Sequence, residues 1–450
     1  VLGCITDNAL IYEYGKEVAR QCREIGVHVN FAPVADVDNN PLNPVINTRS
    51  FGGDPKNVME KVIAYSRGLE EGGVLSVSKH FPGHGDTNVD SHKALPVLKF
   101  SRERLDSIEL YPFKKAVEAG LGGMMVGHLE VPALSKKPAS LSPEIIGILQ
   151  KEYGFQGLTF TDALEMKGVS NNLNVCARAL MAGNDMLLAP RNLKRELDGV
   201  LAAIKSGELT ETLITEKCRK VLTYKYALGL YRKQFIQLSG LDKRLNRPET
   251  KELMAKLQKA AVTVASNDGG ILPLEMSLKG SVVLNVGKSS GGDTFYQQLK
   301  RYLTIDRIQA NPDSISSMRK RLGKYERVIV AIHTEKYAPY QAMLNELAKQ
   351  KPVIYVYLTP LRQMYKKGND WRKAAAVILG HAGDSHVQRY VADVLVGKEI
   401  PTGRVSVEVE GYLRPGDGVV LTKEHESKIY RPEDYGMKSS VLKKIDEIAL

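Results

Sequence analysis

Between positions 27 and 188 short apolar runs alternate with amphipathic stretches of helical length, the order that parallel strands joined by crossover helices impose. The pattern predicts strands at 27–33, 74–79, 123–127, 158–161 and 185–189, and helices at 11–25, 57–71, 102–119 and 143–153. Ser101 and the Ser142-Pro143 pair stand where helix caps belong. The repeat reads as part of a (β/α)8 TIM-type barrel. About five to six units are visible where closure needs eight, so the opening strands are expected upstream of Val1.

Helical patterns at 193–206 and 210–228 follow, and the polar stretch 231–250, which contains Pro248, reads as a linker. A second α/β set is predicted from strand runs at 281–286, 327–332, 352–358 and 375–379, with a helix at 340–350 between two of them. Near-continuous apolar strands of this kind belong to an open sheet covered on both faces. The domain division expected is therefore 1–230 barrel, 231–250 linker and 251–410 sandwich. Beyond it, 411–450 is expected to hold a further linker and the start of another domain.

Composition narrows the class. With 43% hydrophobic and 25% charged residues the chain is of globular type, and no run approaches the roughly 18 apolar residues of a membrane span. The start Val1-Leu2-Gly3-Cys4 carries neither an initiator Met nor a signal pattern. Cys4, Cys22, Cys176 and Cys218 are too widely spaced for a zinc ribbon or a dense disulfide framework. The net charge of +12 is scattered over helical stretches without an aromatic platform, so a solvated basic surface is the reading rather than a nucleic-acid groove. An anionic cell-wall glycan is compatible with that charge.

Chemistry concentrates in one place. The run Lys79-His80-Phe81-Pro82-Gly83-His84-Gly85-Asp86-Thr87, followed by Asp90-Ser91-His92, places titratable groups and backbone breakers directly after an apolar strand, where α/β folds carry their reactive loops. An imidazole titrates near neutrality and can both give and take a proton, and Asp90, two residues from His92, could orient the ring. Asp162 ends the apolar run Leu158-Thr159-Phe160-Thr161, either pointing into a barrel mouth or capping the next turn. Zinc ligation by His80, His84, Asp86 and His92 is disfavoured because Pro82 and Gly83 interrupt any helical spacing.

The 79–92 run resembles the signature of glycoside hydrolase family 3 in its β-N-acetylglucosaminidase branch. The phrase Thr161-Asp162-Ala163-Leu164-Glu165-Met166 is similar to that family's nucleophile segment. Arg49-Ser50-Phe51-Gly52 is similar to its substrate-binding phrase, and the 391–405 segment to the close of its second domain. The resemblance implies a barrel followed by an α/β/α sandwich, with Asp162 as nucleophile, His92 as acid/base and Asp90 as its orienter. It also implies sugar contacts from Lys79, His80 and Arg49. Asp36 and His128, each just past a strand pattern, are further binding candidates, for which hydrogen bonding in the core or barrel lip stays equally open. An early D-x-E-G-G-like carboxylate phrase of the family is absent, so the activity of this stretch by itself is in question.

The function implied is retaining hydrolysis of terminal N-acetyl-β-glucosaminides from peptidoglycan fragments or chito-oligosaccharides. No cofactor or metal is implied, and the expected partner is a small N-acetylglucosamine-containing glycan. A phosphorylase using the same residues and a non-catalytic glycan-binding module remain alternatives. A β-glucosidase or β-xylosidase is disfavoured by the Asp90–His92 pair. The 437–450 segment is similar to the opening helix of β-lactamase-like serine hydrolases, and the expected location is the periplasm or cell envelope, with the cytoplasm as alternative.

Overall fold

The computed structural model describes residues 1–40, 43–90, 93–170, 173–233, 235–275, 280–334, 336–360, 371–409, 411–421 and 441. Helix α1 (Asn8–Glu24) starts where the Asp7 carboxylate accepts the Ala9 amide hydrogen and leads to strand β1 (Val29–Asn30). Helix α2 (Pro55–Glu71), capped by Asp54 and opened by Pro55, crosses α1 closely. The approach needs glycine on both helices, since a Cβ at Gly15 would lie 2.3 Å from the Tyr65 carbonyl and one at Gly68 2.2 Å from that of Tyr12.

Strands β2 (Leu75–Ser76) and β3 (Ser78–Phe81) are two segments of one extended run. The helical stretch expected at 102–119 divides into α3 (Arg102–Ser107) and α4 (Tyr111–Glu118), because Pro112 suits a first turn and not an interior. Next come β4 (Gly123–Val126) and α5 (Pro143–Gly147), which continues into a π-helical turn. Then follow β5 (Leu158–Ala163), α6 (Val175–Ala182), β6 (Met186–Leu188), α7 (Leu193–Ser206) and α8 (Glu211–Ala227). Among the described residues these strands pair in parallel: β1 with β2, a bridge from Val34 to Lys79, and the order β3-β4-β5-β6. The strands' carboxyl ends therefore open on one side, carrying Phe81, Val126 and Asp162 together.

The opposite end is closed by charge. Asp185, with 4% of its side chain exposed, accepts hydrogen bonds from the Thr159 amide (2.9 Å), Lys217 Nζ (3.3 Å) and Lys220 Nζ (2.8 Å). Removing one member of a buried ion pair strands the others, so Asp185→Ala should lose about 3 kcal/mol in urea unfolding. A loss below about 1 kcal/mol would show that solvent already screens the lysines.

The stretch 231–250 holds the short helix α9 (Leu241–Leu245) and the first turn of α10 (Pro248–Ala261). Both helices are tied to α1: the Arg20 guanidinium donates to the carbonyls of Arg244 (2.6 Å) and Leu245 (3.3 Å), and Thr250 Oγ1 to Glu17 (2.6 Å). Beyond α10 come β7 (Thr263–Ser266), β8 (Ser281–Val286), α11 (Asp293–Lys300) and β9 (Ile305–Gln309). They are followed by α12 (Ile315–Leu322), β10 (Arg327–Ile332), α13 (Gln341–Ala348), β11 (Val353–Tyr357), β12 (Ala376–Leu379) and α14 (Ser385–Leu395).

Six strands form one sheet in the order β7-β12-β11-β10-β8-β9, with β7 antiparallel at one edge. Alternate residues of β8 serve opposite faces: Val282, Leu284 and Val286 pack with Met318 of α12 and Leu344 of α13, Val283 with Phe295 of α11 and Val391 of α14. The sheet is thus an α/β/α sandwich, and the whole is an α/β fold of barrel-type and sandwich units. Of the 437–450 segment only Val441 is among the described residues.

Candidate active site

At the carboxyl ends of β3, β4 and β5 lies a cleft of about 440 Å³. Its polar lining is Arg49, Lys79, His80, His84 and Asp162, and its apolar lining includes Phe31, Met125 and Leu188. A larger hollow of about 1210 Å³ lies against α1. Its charges largely neutralise one another, as in Arg20–Glu17 (2.6 Å) and Arg247–Glu17 (3.4 Å), whereas the strand-end cleft leaves several cationic groups facing one carboxylate.

That carboxylate belongs to Asp162, whose Oδ1 accepts the Ala163 amide hydrogen at 2.8 Å. Burial works to raise its pKa. The charge of His80, the Ala163 amide and Lys79 outweigh burial and hold it below the usual carboxylate range. Asp162 is the sole carboxylate among the described lining residues. Lys79 is lowered from its ordinary value by burial and by the neighbouring Arg49, against the pull of Asp162 and Asp36.

Of the two readings open for Asp36, hydrogen bonding within the barrel lip is the one the structure shows. Asp36 is fully buried behind the cleft wall, where its carboxylate accepts the amide hydrogens of His80 (3.1 and 3.2 Å) and His84 (2.7 Å) and the His80 Nδ1 hydrogen (2.7 Å). Burial would raise this group, but His80's charge and hydrogen bonds bring it below its normal value. Asp36 thus fixes the His80 ring with Nδ1 turned inward and Nε2 left for the cleft.

His128 is likewise fully buried and off the cleft. Its Nε2 donates to the Ala163 carbonyl (3.0 Å), and its Nδ1 lies 2.7 Å from Ser140 Oγ. Burial lowers its pKa, so the neutral ring accepts the Ser140 hydroxyl hydrogen and steadies the backbone next to Asp162. For Asp36 and His128 the barrel-lip alternative, rather than direct contact with a ligand, describes the geometry.

Several positioning groups carried no signal in the sequence. The Asn43 side chain donates to the carbonyls of His84 and Gly85 (both 2.8 Å) and accepts from the amides of Val45 and Ile46 (2.8 and 2.9 Å), joining the loop that bears Arg49 to the loop after β3. Thr87 Oγ1 donates to the His84 carbonyl (3.2 Å), accepts from Asn43 (3.4 Å) and sits 2.7 Å from His84 Nδ1. At Gly85 a Cβ would lie 1.7 Å from the Val37 carbonyl, which requires glycine there. Arg49 is exposed on the cleft rim. Asp90 lies in the same loop region, its carbonyl accepting the amides of Lys93 (2.8 Å) and Ala94 (3.1 Å). His92 lies outside the described residues. No group of three or more His, Cys, Asp or Glu that could hold a metal occurs among the described residues.

Residues 1–224 match the glycosyl hydrolase family 3 N-terminal domain. Beta-hexosaminidase A of Pseudoalteromonas piscicida is 34% identical over 283 residues, covering 57% of this chain and 47% of that protein. Beta-hexosaminidase LpqI of Mycobacterium tuberculosis is 36% identical over 227 residues, covering 48% of this chain and 58% of that protein. The chain thus spans about half the length of the relatives it matches. A solved family 3 β-N-acetylglucosaminidase from Paenibacillus is similar at TM-score 0.70 and 28% identity, over 91% of this chain and 81% of that one. The strand-end cleft with Asp162 at its floor, the barrel-and-sandwich architecture and these similarities lead to one conclusion: the chain belongs to glycoside hydrolase family 3.

Proposed function

We propose that the chain is the catalytic part of a retaining β-N-acetylglucosaminidase. The observation that carries this reading is Asp162, held ionised at the carboxyl end of β5 as the sole carboxylate among the described residues lining a cationic cleft. Asp162 attacks the anomeric carbon and the glycosidic bond breaks toward the aglycone oxygen, which takes a proton from His92. The resulting glycosyl ester is opened by water that returns its proton to His92, restoring both groups with net retention.

A second carboxyl usually supplies the acid in such a pair. The lining described here offers none, so the Asp90–His92 loop takes that task. Arg49, Lys79 and His80 bind hydroxyls of the sugar, while Asp36 and His128 position them and Asp162. The relatives named beta-hexosaminidase support the amino-sugar substrate, and small glycans of peptidoglycan or chitin carry that sugar in β linkage. We place the protein in the periplasm or envelope, which fractionation of cells would test.

The test is hydrolysis of 4-nitrophenyl N-acetyl-β-glucosaminide followed by proton NMR, with and without inorganic phosphate. The β-anomer as first product, formed equally without phosphate, is the expected result. An α-anomer first would overturn the Asp162 mechanism, a sugar 1-phosphate would favour a phosphorylase, and binding without turnover would favour a glycan-binding module.

A further inference from the structure

Arg49 is the exposed cation on the cleft rim, beside Lys79, and among the described residues the hydrogen bond its guanidinium makes is to the Val45 carbonyl, at 3.3 Å. Its position is therefore set by the backbone around it. Four residues away that backbone is gripped from the other domain. The Gly53 amide donates to the Ser406 carbonyl at 2.8 Å, and Gly52, at φ +136°, passes so close that a Cβ there would lie 2.1 Å from the same oxygen.

The neighbouring contacts continue in both directions. On the sandwich side, the Arg404 amide donates to the Cys4 carbonyl (2.8 Å) and the Cys4 thiol to Ser406 Oγ (3.4 Å). A Cβ at Gly3 would lie 1.8 Å from the Phe51 carbonyl, so this layer has no slack. On the cleft side, the Asp38 amide donates to the Gly52 carbonyl (2.8 Å), and Ser50 Oγ donates to the Asp36 carbonyl (2.7 Å) while accepting from the Gly52 amide (3.0 Å). The described residues lining the cleft all precede position 190. Among the described residues, the second domain meets the cleft-bearing backbone at 50–53 through this relay rather than through the lining itself.

We propose that residues 403–406 form a strap by which the second domain positions Arg49 for the sugar, acting through Gly52 and Gly53. Ser406 and Gly52 are positioning residues, touching neither substrate nor Asp162. The inference rests on the reading of the cleft as a sugar site. A misplacement of about 1 Å at a binding group is enough to cost up to about 100-fold, and a methyl group at position 52 forces a shift of that size.

The experiment is a double-mutant cycle of Gly52→Ala and Arg49→Ala on the aryl glycoside, with hydrogen exchange at the Gly53 amide of the unmodified chain. Each single variant should raise KM by about 10- to 100-fold with kcat within about threefold, and Gly52→Ala should add less than about twofold once Arg49 is gone. The Gly53 amide should exchange at least about 100-fold more slowly than in an unstructured peptide. Additive effects, a KM untouched by Arg49→Ala, or free exchange at Gly53 would each overturn the strap while leaving the sugar-site reading intact. No turnover by the unmodified chain would overturn that reading and the strap with it. If Gly52→Ala does not fold, the exchange measurement still decides whether the strap holds.

Discussion

Asp162→Gly is expected to lower turnover of the aryl glycoside by about 10⁴-fold or more, since no other described group in the cleft can take the nucleophile's place. The substitution leaves a void at the face of the anomeric carbon from which Asp162 is proposed to attack. Added azide should enter it, restore part of the rate on a substrate with a good leaving group, and yield the α-glycosyl azide. Because Asp162 is held below the ordinary carboxylate range, the ascending limb of kcat/KM against pH should lie to the acid side of where an unperturbed aspartate titrates. A loss under about 100-fold, or a β-azide, would remove Asp162 from the role of nucleophile.

Asp36→Asn should be the most damaging change outside the reacting atoms. Its carboxylate takes two backbone amides and one imidazole hydrogen while fully buried. An amide there presents hydrogens where only acceptors fit, and breaking a buried pair of this kind costs about 3–5 kcal/mol. Activity should fall by about 100-fold as His80 loses its anchor.

The pH dependence separates this from a generic loss. The folded-state pKa of Asp36 is depressed, so its contribution is complete above the unfolded value near 4 and disappears as pH falls through the folded one. The unmodified protein should therefore lose stability on going from pH 5 to pH 3, and Asp36→Asn should lose less over the same range. Urea unfolding at both pH values measures it, and a difference below about 1 kcal/mol at pH 5 would show that the loop is held by other contacts.

The strands read most easily from the sequence are those buried on both faces, such as β8 and β10, whose apolar runs have no other explanation. Two strands escaped. In β9 only Ile305 and Ile308 are buried while Asp306 and Gln309 face outward at a sheet edge, so its composition resembles a loop. β7 is four residues, Thr263-Val264-Ala265-Ser266, too short and too mixed in polarity to stand out. The break between α3 and α4 was written in Pro112, but the surrounding apolar period masked it.

The site divides in the same way. Lys79, His80 and Asp162 stood out because charged residues beside apolar strand ends are costly unless used, Arg49 only through the resemblance of 49–52 to a family phrase, and the structure puts all four on the cleft. The inward course of Asp36 and His128 was not legible, because the spacing past a strand end does not say which way a loop side chain turns. Asn43, Thr87 and Ser140 have the composition of ordinary turns, and only the hydrogen bonds they make in three dimensions distinguish them.

Between α10 and β7 stands a single residue, Val262, fully buried, and β7 is at once locked into the sandwich by its antiparallel pairing with β12. A hinge needs a few solvent-facing residues free to change their backbone angles. Val262, buried and held between a helix and a paired strand, is a stiff joint between the two units. On the proposed reading, a stiff joint would leave the geometry of the cleft to the barrel's own strand ends and to the backbone of 50–53.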